Sequence, residues 1–171
     1  MIKPHGSEQL TPKIVNTDEE RVALLDSAKS MKKMTVNSAA AANLVMLGAG
    51  YFTPLKGYMN LADSLAVAKD LCTTDGLFWP VPIVNLSKDA QGITAGQRIA
   101  LRDPNVDGNP VLAIMDVEAV ETVSAEQIDF MAENIFGTLD DKHPGVQTFK
   151  AQGNTMLSGP IQVLNFSYFQ A

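Results

Sequence analysis

The chain has 171 residues, enough for one domain with a true core, and its single Cys72 and two histidines, His5 and His143, exclude a disulfide framework, a CxxC motif and a His-rich metal centre. Its 13 basic against 19 acidic side chains give a formal charge of −6, which argues against a surface that tracks nucleic-acid phosphates; with Arg21, Arg98 and Arg102 the whole arginine set, a self-contained enzyme of phosphate or sulfate transfer would lack its guanidinium forks. No signal-type apolar stretch opens the sequence and none approaches the roughly 18 apolar residues of a membrane span, so the expectation is a cytoplasmic protein that makes no membrane contact.

After an extended leader to Pro12, Thr17-Asp18-Glu19-Glu20 has capping-box spacing and predicts a helix. Its apolar stripe reads as Val22, Leu25 and Ala28 with Leu24 beside them, and Lys29, Lys32 and Lys33 suit the negative end of its dipole. A short strand over 34–36 follows, then a second helix over 39–47 with Ser38 as cap and Gly48-Ala49-Gly50 as its end. Residues 51–58 read as loop. A third helix is expected from about Asn60 to Cys72, with Leu61, Leu65, Ala68 and Cys72 on one face and Asp63 in the first turn.

From Leu77 the pattern turns apolar without helical period, and Pro80 and Pro82 point to an edge or bulged strand over 77–86. Residues 97–102 and 110–120 read as a hairpin joined by the turn-rich 103–109. On its second strand Val111, Ala113, Met115, Val117 and Ala119 share a face opposite Asp116 and Glu118, so that end should be wet on one side. Ser124-Ala125-Glu126-Gln127 repeats the capping spacing and starts a helix with Ile128, Met131 and Ile135 as its stripe and Gly137 as its stop. Pro144 opens a short helix ending near Gly153, and 160–169 reads as a terminal strand with Leu164, Phe166 and Tyr168 on one face. Elements come in blocks, which favours α+β with a mixed or antiparallel curled sheet over a doubly wound fold.

The chemistry-bearing candidates reduce to ordinary structure. Gly48-Ala49-Gly50 follow a helix and precede Thr53-Pro54, the wrong order for a phosphate cradle, and read as a helix end. Asp140, Asp141 and His143 match no ligand spacing; His143 reads as a cap or packing group for the helix entered at Pro144 and the aspartates as solvated loop charges. Cys72 reads as a small buried hydrophobe and Trp79 as core. No Gly-x-Ser-x-Gly, no His-x-x-His and no Ser/His/Asp set is present, so the sequence assigns no catalytic, cofactor-binding or metal residue.

Four stretches, in order, carry a resemblance: residues 46–59, MLGAGYFTPLKGYM; 75–83, DGLFWPVPI; 137–146, GTLDDKHPGV; and 157–164, LSGPIQVL. Together they resemble the amino-terminal PUA-like domain of the ATP sulfurylase (sulfate adenylyltransferase) family, in its prokaryotic sulfur-metabolising branch. The first is similar to the family's Gly-x-Phe-Ser-Pro-Leu-x-Gly-Phe-Met signature, with Thr53 in place of the usual Ser and Tyr58 in place of the usual Phe. The resemblance implies a PUA-like pseudo-barrel with peripheral helices, spanning 1–171 as one domain. It places catalysis in a following nucleotidyltransferase domain with a Gln-x-Arg-Asn-Pro-x-His-x-x-His motif, which this sequence does not contain. The implied partners are that carboxy-terminal catalytic domain and, in the full-length enzyme, further copies in a homo-oligomer; no cofactor is expected in this chain, which alone should not turn over. The other readings are a stand-alone regulatory or interaction module and, by fold analogy, an RNA-binding module, the latter opposed by the charge. Phe166, Tyr168 and Phe169 are expected to leave apolar surface that meets the absent domain.

Overall fold

Helices in this chain begin where a side chain can take the free amides of a first turn. In the computed structural model, which describes residues 2–169, Thr17 accepts the Glu20 amide (3.1 Å) and opens α1 (Asp18–Ala28). Asn37, not Ser38, caps α2 (Ser38–Gly48), accepting the Ala40 amide at 2.8 Å, while the Ser38 hydroxyl bonds Asn105. Asn60 caps α3 (Leu61–Asp70), Ser124 and Gln127 close a reciprocal capping box on α4 (Ala125–Phe136), and His143 caps α5 (Pro144–Ala151). Gly137 ends α4 in the left-handed conformation, as its position predicts.

The described strands are β1 (Lys32–Thr35), β2 (Gly57–Tyr58), β3 (Leu86–Ser87), β4 (Arg98–Arg102), β5 (Val111–Asp116), β6 (Ala119–Thr122) and β7 (Thr155–Val163). They run in the order β1-β4-β5-β7-β2, with β3 and β6 also paired to β7; β1–β4 is parallel and the other pairs are antiparallel. The fold is α+β, a mixed curled sheet forming a half-barrel with the helices around it. The main core lies between the sheet, α2 and the 77–84 segment, with Leu44, Leu47, Met115 and Leu157 at its centre. A second core joins α3, α4 and α5 through Met131 and Met156, and a third seats α1 on β4 and β5 through Ala28, Ala100 and Ile114.

Four expectations are corrected. In α1 the side chains that reach the sheet are Leu24 and Ala28, four residues apart, whereas Val22 and Leu25 face solvent. Residues 77–86 do not form one strand: the two prolines withhold ladder donors, and only an isolated bridge from Cys72 to Phe78 and the short β3 pair, although Ile83 and Val84 are buried. The second hairpin strand breaks at Val117-Glu118, where β5 leaves β4 and β6 takes up β7, while Asp116 and Glu118 are exposed as expected. The last strand starts at Thr155 and stops at Val163, because Gly159-Pro160 mark a mid-strand change of partner and the Asn165 side chain, accepting the Ser167 amide, turns the chain away.

Candidate functional site

Three of the four stretches that carried the resemblance meet in space. Pro54 to Met59, Asp75 with Leu77, and Ser158-Gly159-Pro160 line one cleft of about 400 Å³, completed by Asn60 and Asp63 of α3, by Thr73 and Thr74, and by Glu118. Its floor is backbone. A Cβ on Gly57 would lie 2.0 Å from the Gly159 carbonyl oxygen, and one on Gly159 would lie 2.0 Å from that of Asp116, so β2, β7 and the β5–β6 turn touch with no side chain between them. Gly159 also sits at φ 143°, a conformation other residues rarely adopt.

One wall is fixed from the core. The Thr53 hydroxyl donates to the Gly50 carbonyl (2.7 Å) and accepts the Thr11 amide (3.0 Å), tying the leader to the loop before the cis Thr53–Pro54 peptide. A hydroxyl is the group this position needs, and Thr in place of Ser retains it. Phe52 stands edge-on to Trp79, ring centroids 5.8 Å apart. Tyr58 is buried and donates to the Ala40 carbonyl at 2.7 Å, so the hydroxyl that distinguishes it from Phe is satisfied; burial pushes its phenol well above the usual range.

The opposite wall is acidic. Asp63 accepts both the amide (2.9 Å) and the hydroxyl (2.5 Å) of Thr74 through one carboxylate oxygen. The Thr73 hydroxyl, with help from the Leu77 amide, holds the Asp75 carboxyl below its ordinary range. Glu118 stands at the rim, its amide donating to the Ser158 carbonyl (2.9 Å). Lys56 is the cleft's basic side chain, and Ser158 is buried with no partner for its hydroxyl.

The chain matches the PUA-like domain family over residues 2–166. It belongs to that family. It is 54% identical to a sulfate adenylyltransferase of Alcanivorax borkumensis, across 99% of the chain and 42% of that relative. It is 58% identical to one of Allochromatium vinosum, across 99% of the chain and 43% of the relative. The chain thus spans about two-fifths of the length of the curated relatives it matches. Among solved structures, the hexameric APS kinase from Thiobacillus denitrificans superposes with a TM-score of 0.68 at 25% identity, covering 100% of this chain and 28% of that one.

Elsewhere in this PUA-like domain the sequence candidates behave as structure. Gly50 takes a left-handed turn at the end of α2. The His143 ring accepts the Val146 amide (3.4 Å), Asp140 accepts the Lys142 amide, and Asp141 stands 3.9 Å from Lys150, so these groups shape the entry to α5. Each arginine is engaged by a neighbour: Arg21 with Asp18, Arg98 with Asp116, Arg102 with the Gly108 and Asn109 carbonyls. Cys72 is half-buried and Trp79 is core. Among the described residues no group of three or more His, Cys, Asp or Glu could hold a metal ion, and no helix is long and apolar enough to cross a membrane. Of the expected aromatic surface, Phe166 lies against Gly48, while Tyr168 and Phe169 are exposed and stacked at 4.4 Å. The cleft itself escaped sequence reading. Its one sequence signal was the unexplained recurrence of Gly and Pro in two stretches, 54–57 and 159–160.

Proposed function

We propose that this PUA-like domain is the non-catalytic amino-terminal part of a sulfate adenylyltransferase, the enzyme that joins ATP and sulfate into adenylyl sulfate and pyrophosphate or runs that reaction in reverse. The observation that carries the reading is identity of 54% and 58% to two such enzymes along 99% of the chain, against 42% and 43% of their length. The three arginines are each occupied by a neighbour, Arg21 by Asp18, Arg98 by Asp116 and Arg102 by the Gly108 and Asn109 carbonyls, which leaves no guanidinium fork free for sulfate or nucleotide phosphates. On this reading the domain works in the cytoplasm, takes no cofactor and no nucleic acid, and serves its enzyme by supporting the catalytic domain and the contacts between copies. Exposed Tyr168 and Phe169 are the apolar surface it offers to that domain.

The test is enzymatic. Purified chain supplied with adenylyl sulfate and pyrophosphate should form no ATP, and the same chain continued by the rest of a relative's length should form it. ATP formation by the chain alone, or failure of the joined protein with the relative's own version active in parallel, overturns the reading.

A further inference from the structure

Ser158 is only 2% exposed, yet its hydroxyl has no hydrogen-bond partner. Native interiors rarely leave a polar group in that state, and a bound group that completes it is one physical reason they do. The alternation of β7 sets its direction. Leu157 enters the main core, Met156 and Ser158 take the opposite side, and there Ser158 lines the glycine-floored cleft. The same cleft is lined by the carboxylates of Asp63, Asp75 and Glu118, none of which makes an ion pair among the described residues. Thr74 occupies one oxygen of Asp63, and the other accepts no hydrogen bond among the described residues.

We propose that this cleft binds a guanidinium group. Three carboxylates against Lys56 make the lining net negative, which disfavours an anion. The donor set for a metal ion is absent among the described residues. What fits is a cation made only of donors. A guanidinium carries five N–H groups in one plane, is weakly hydrated, and can serve Ser158 Oγ and a carboxylate together, whereas an ammonium is a compact, strongly hydrated point charge. The ligand chemistry holds whether the guanidinium is a free small molecule or an arginine side chain of a longer protein, and it goes beyond the non-catalytic role proposed above.

The experiment is an amide-resolved NMR titration of the chain with N-acetyl-arginine amide, with the lysine and glutamine amides as controls. Saturable shifts centred on Asp63, Thr74, Glu118 and Gly159 are expected, with affinity on the order of millimolar for a single exposed-rim charge contact. Ser158→Ala should weaken it by about three- to tenfold, the worth of one hydrogen bond. Glu118→Gln, at an exposed side chain, should weaken it without a change in Tm. Repeating the titration on the sulfate adenylyltransferase-length protein separates the sources: continued binding marks a free ligand, and loss of binding with the cleft resonances already displaced marks an arginine from the rest of the protein. Absence of saturable shifts in the chain, an equal response to the glutamine or lysine amide, or unchanged affinity in Ser158→Ala overturns the proposal, the last showing that the hydroxyl is served by water alone.

Discussion

The two sides of the partner change in β7 and the residue between them are held in opposite ways. Leu157 and Val163 flank it and are fully buried in the main core, where they work by filling volume. Between them Gly159 works by having none, since the Asp116 carbonyl occupies the space a Cβ would take. A side-chain-filled seam loses energy in proportion to what is removed and tolerates exchanges of equal volume. A seam of backbone on backbone tolerates no addition, and it is this second kind that leaves an open, polar cleft above it.

The sharpest way to break that contrast is Gly159→Ala. The added carbon would meet a backbone oxygen at 2.0 Å at a backbone angle that suits glycine, so β7 must part from the β5–β6 turn. A loss above about 4 kcal/mol is expected, read as missing folded protein or a collapsed Tm. Gly57→Ala, which meets the Gly159 carbonyl, should behave alike. Next in size is Leu157→Ala, which opens a cavity in the main core and should cost about 2–5 kcal/mol by denaturant titration. Leu157→Met should cost less than about 1.5 kcal/mol. If Gly159→Ala proves milder than Leu157→Ala, the two seams do not differ in this way.

Tyr58→Phe probes where the two seams adjoin, since Tyr58 pairs with Gly159 in the ladder and buries its ring in the main core. At neutral pH the variant should lose about 1 kcal/mol with the bond to the Ala40 carbonyl. The pH dependence has a definite sign. Burial raises the phenol pKa in the folded state, so the wild type has its full stability below the ordinary tyrosine value near 10 and loses it as pH climbs from there toward the raised folded value. Tyr58→Phe lacks that loss, and the stability difference between the two should shrink as pH passes about 10. Urea midpoints at pH 7, 9 and 10.5 read it; a difference that stays constant across them removes Tyr58 from the buried, un-ionised group described above.

Capping and stop signals were the most legible part of the sequence, because they are local: Thr17, Asn60, Ser124, Gly137 and Pro144 all stand where their chemistry places them. Two kinds of error arose where tertiary packing decides. Leu24-Ala28 and Val22-Leu25 are both helical spacings, and only the sheet below selects the first. The terminal strand is expected to begin at 160, yet Gly159-Pro160 lie inside β7, where the strand swaps neighbours and needs no side chain. The stretches that carried the family resemblance named most of the cleft's residues without revealing that they meet. Asp63 reads as a first-turn helix charge and Glu118 as a solvent-facing strand residue, and no local pattern marks either of them, or the unpaired Ser158, as part of a cleft.

Ser158→Ala carries the smallest expected effect on stability and the most informative sign. Removing a buried hydroxyl that bonds to nothing removes its desolvation cost and leaves no partner stranded. The variant should therefore equal the wild type or gain up to about 1 kcal/mol, while the deletion of one oxygen costs too little volume to reverse that sign. The gain should vanish when N-acetyl-arginine amide saturates the wild type, because the ligand stabilises the protein that binds it better. A thermal shift series with and without the amide reads both statements. A variant clearly less stable than wild type without ligand would mean that the hydroxyl is already bonded, and the cleft would lose the feature that marks it as a site.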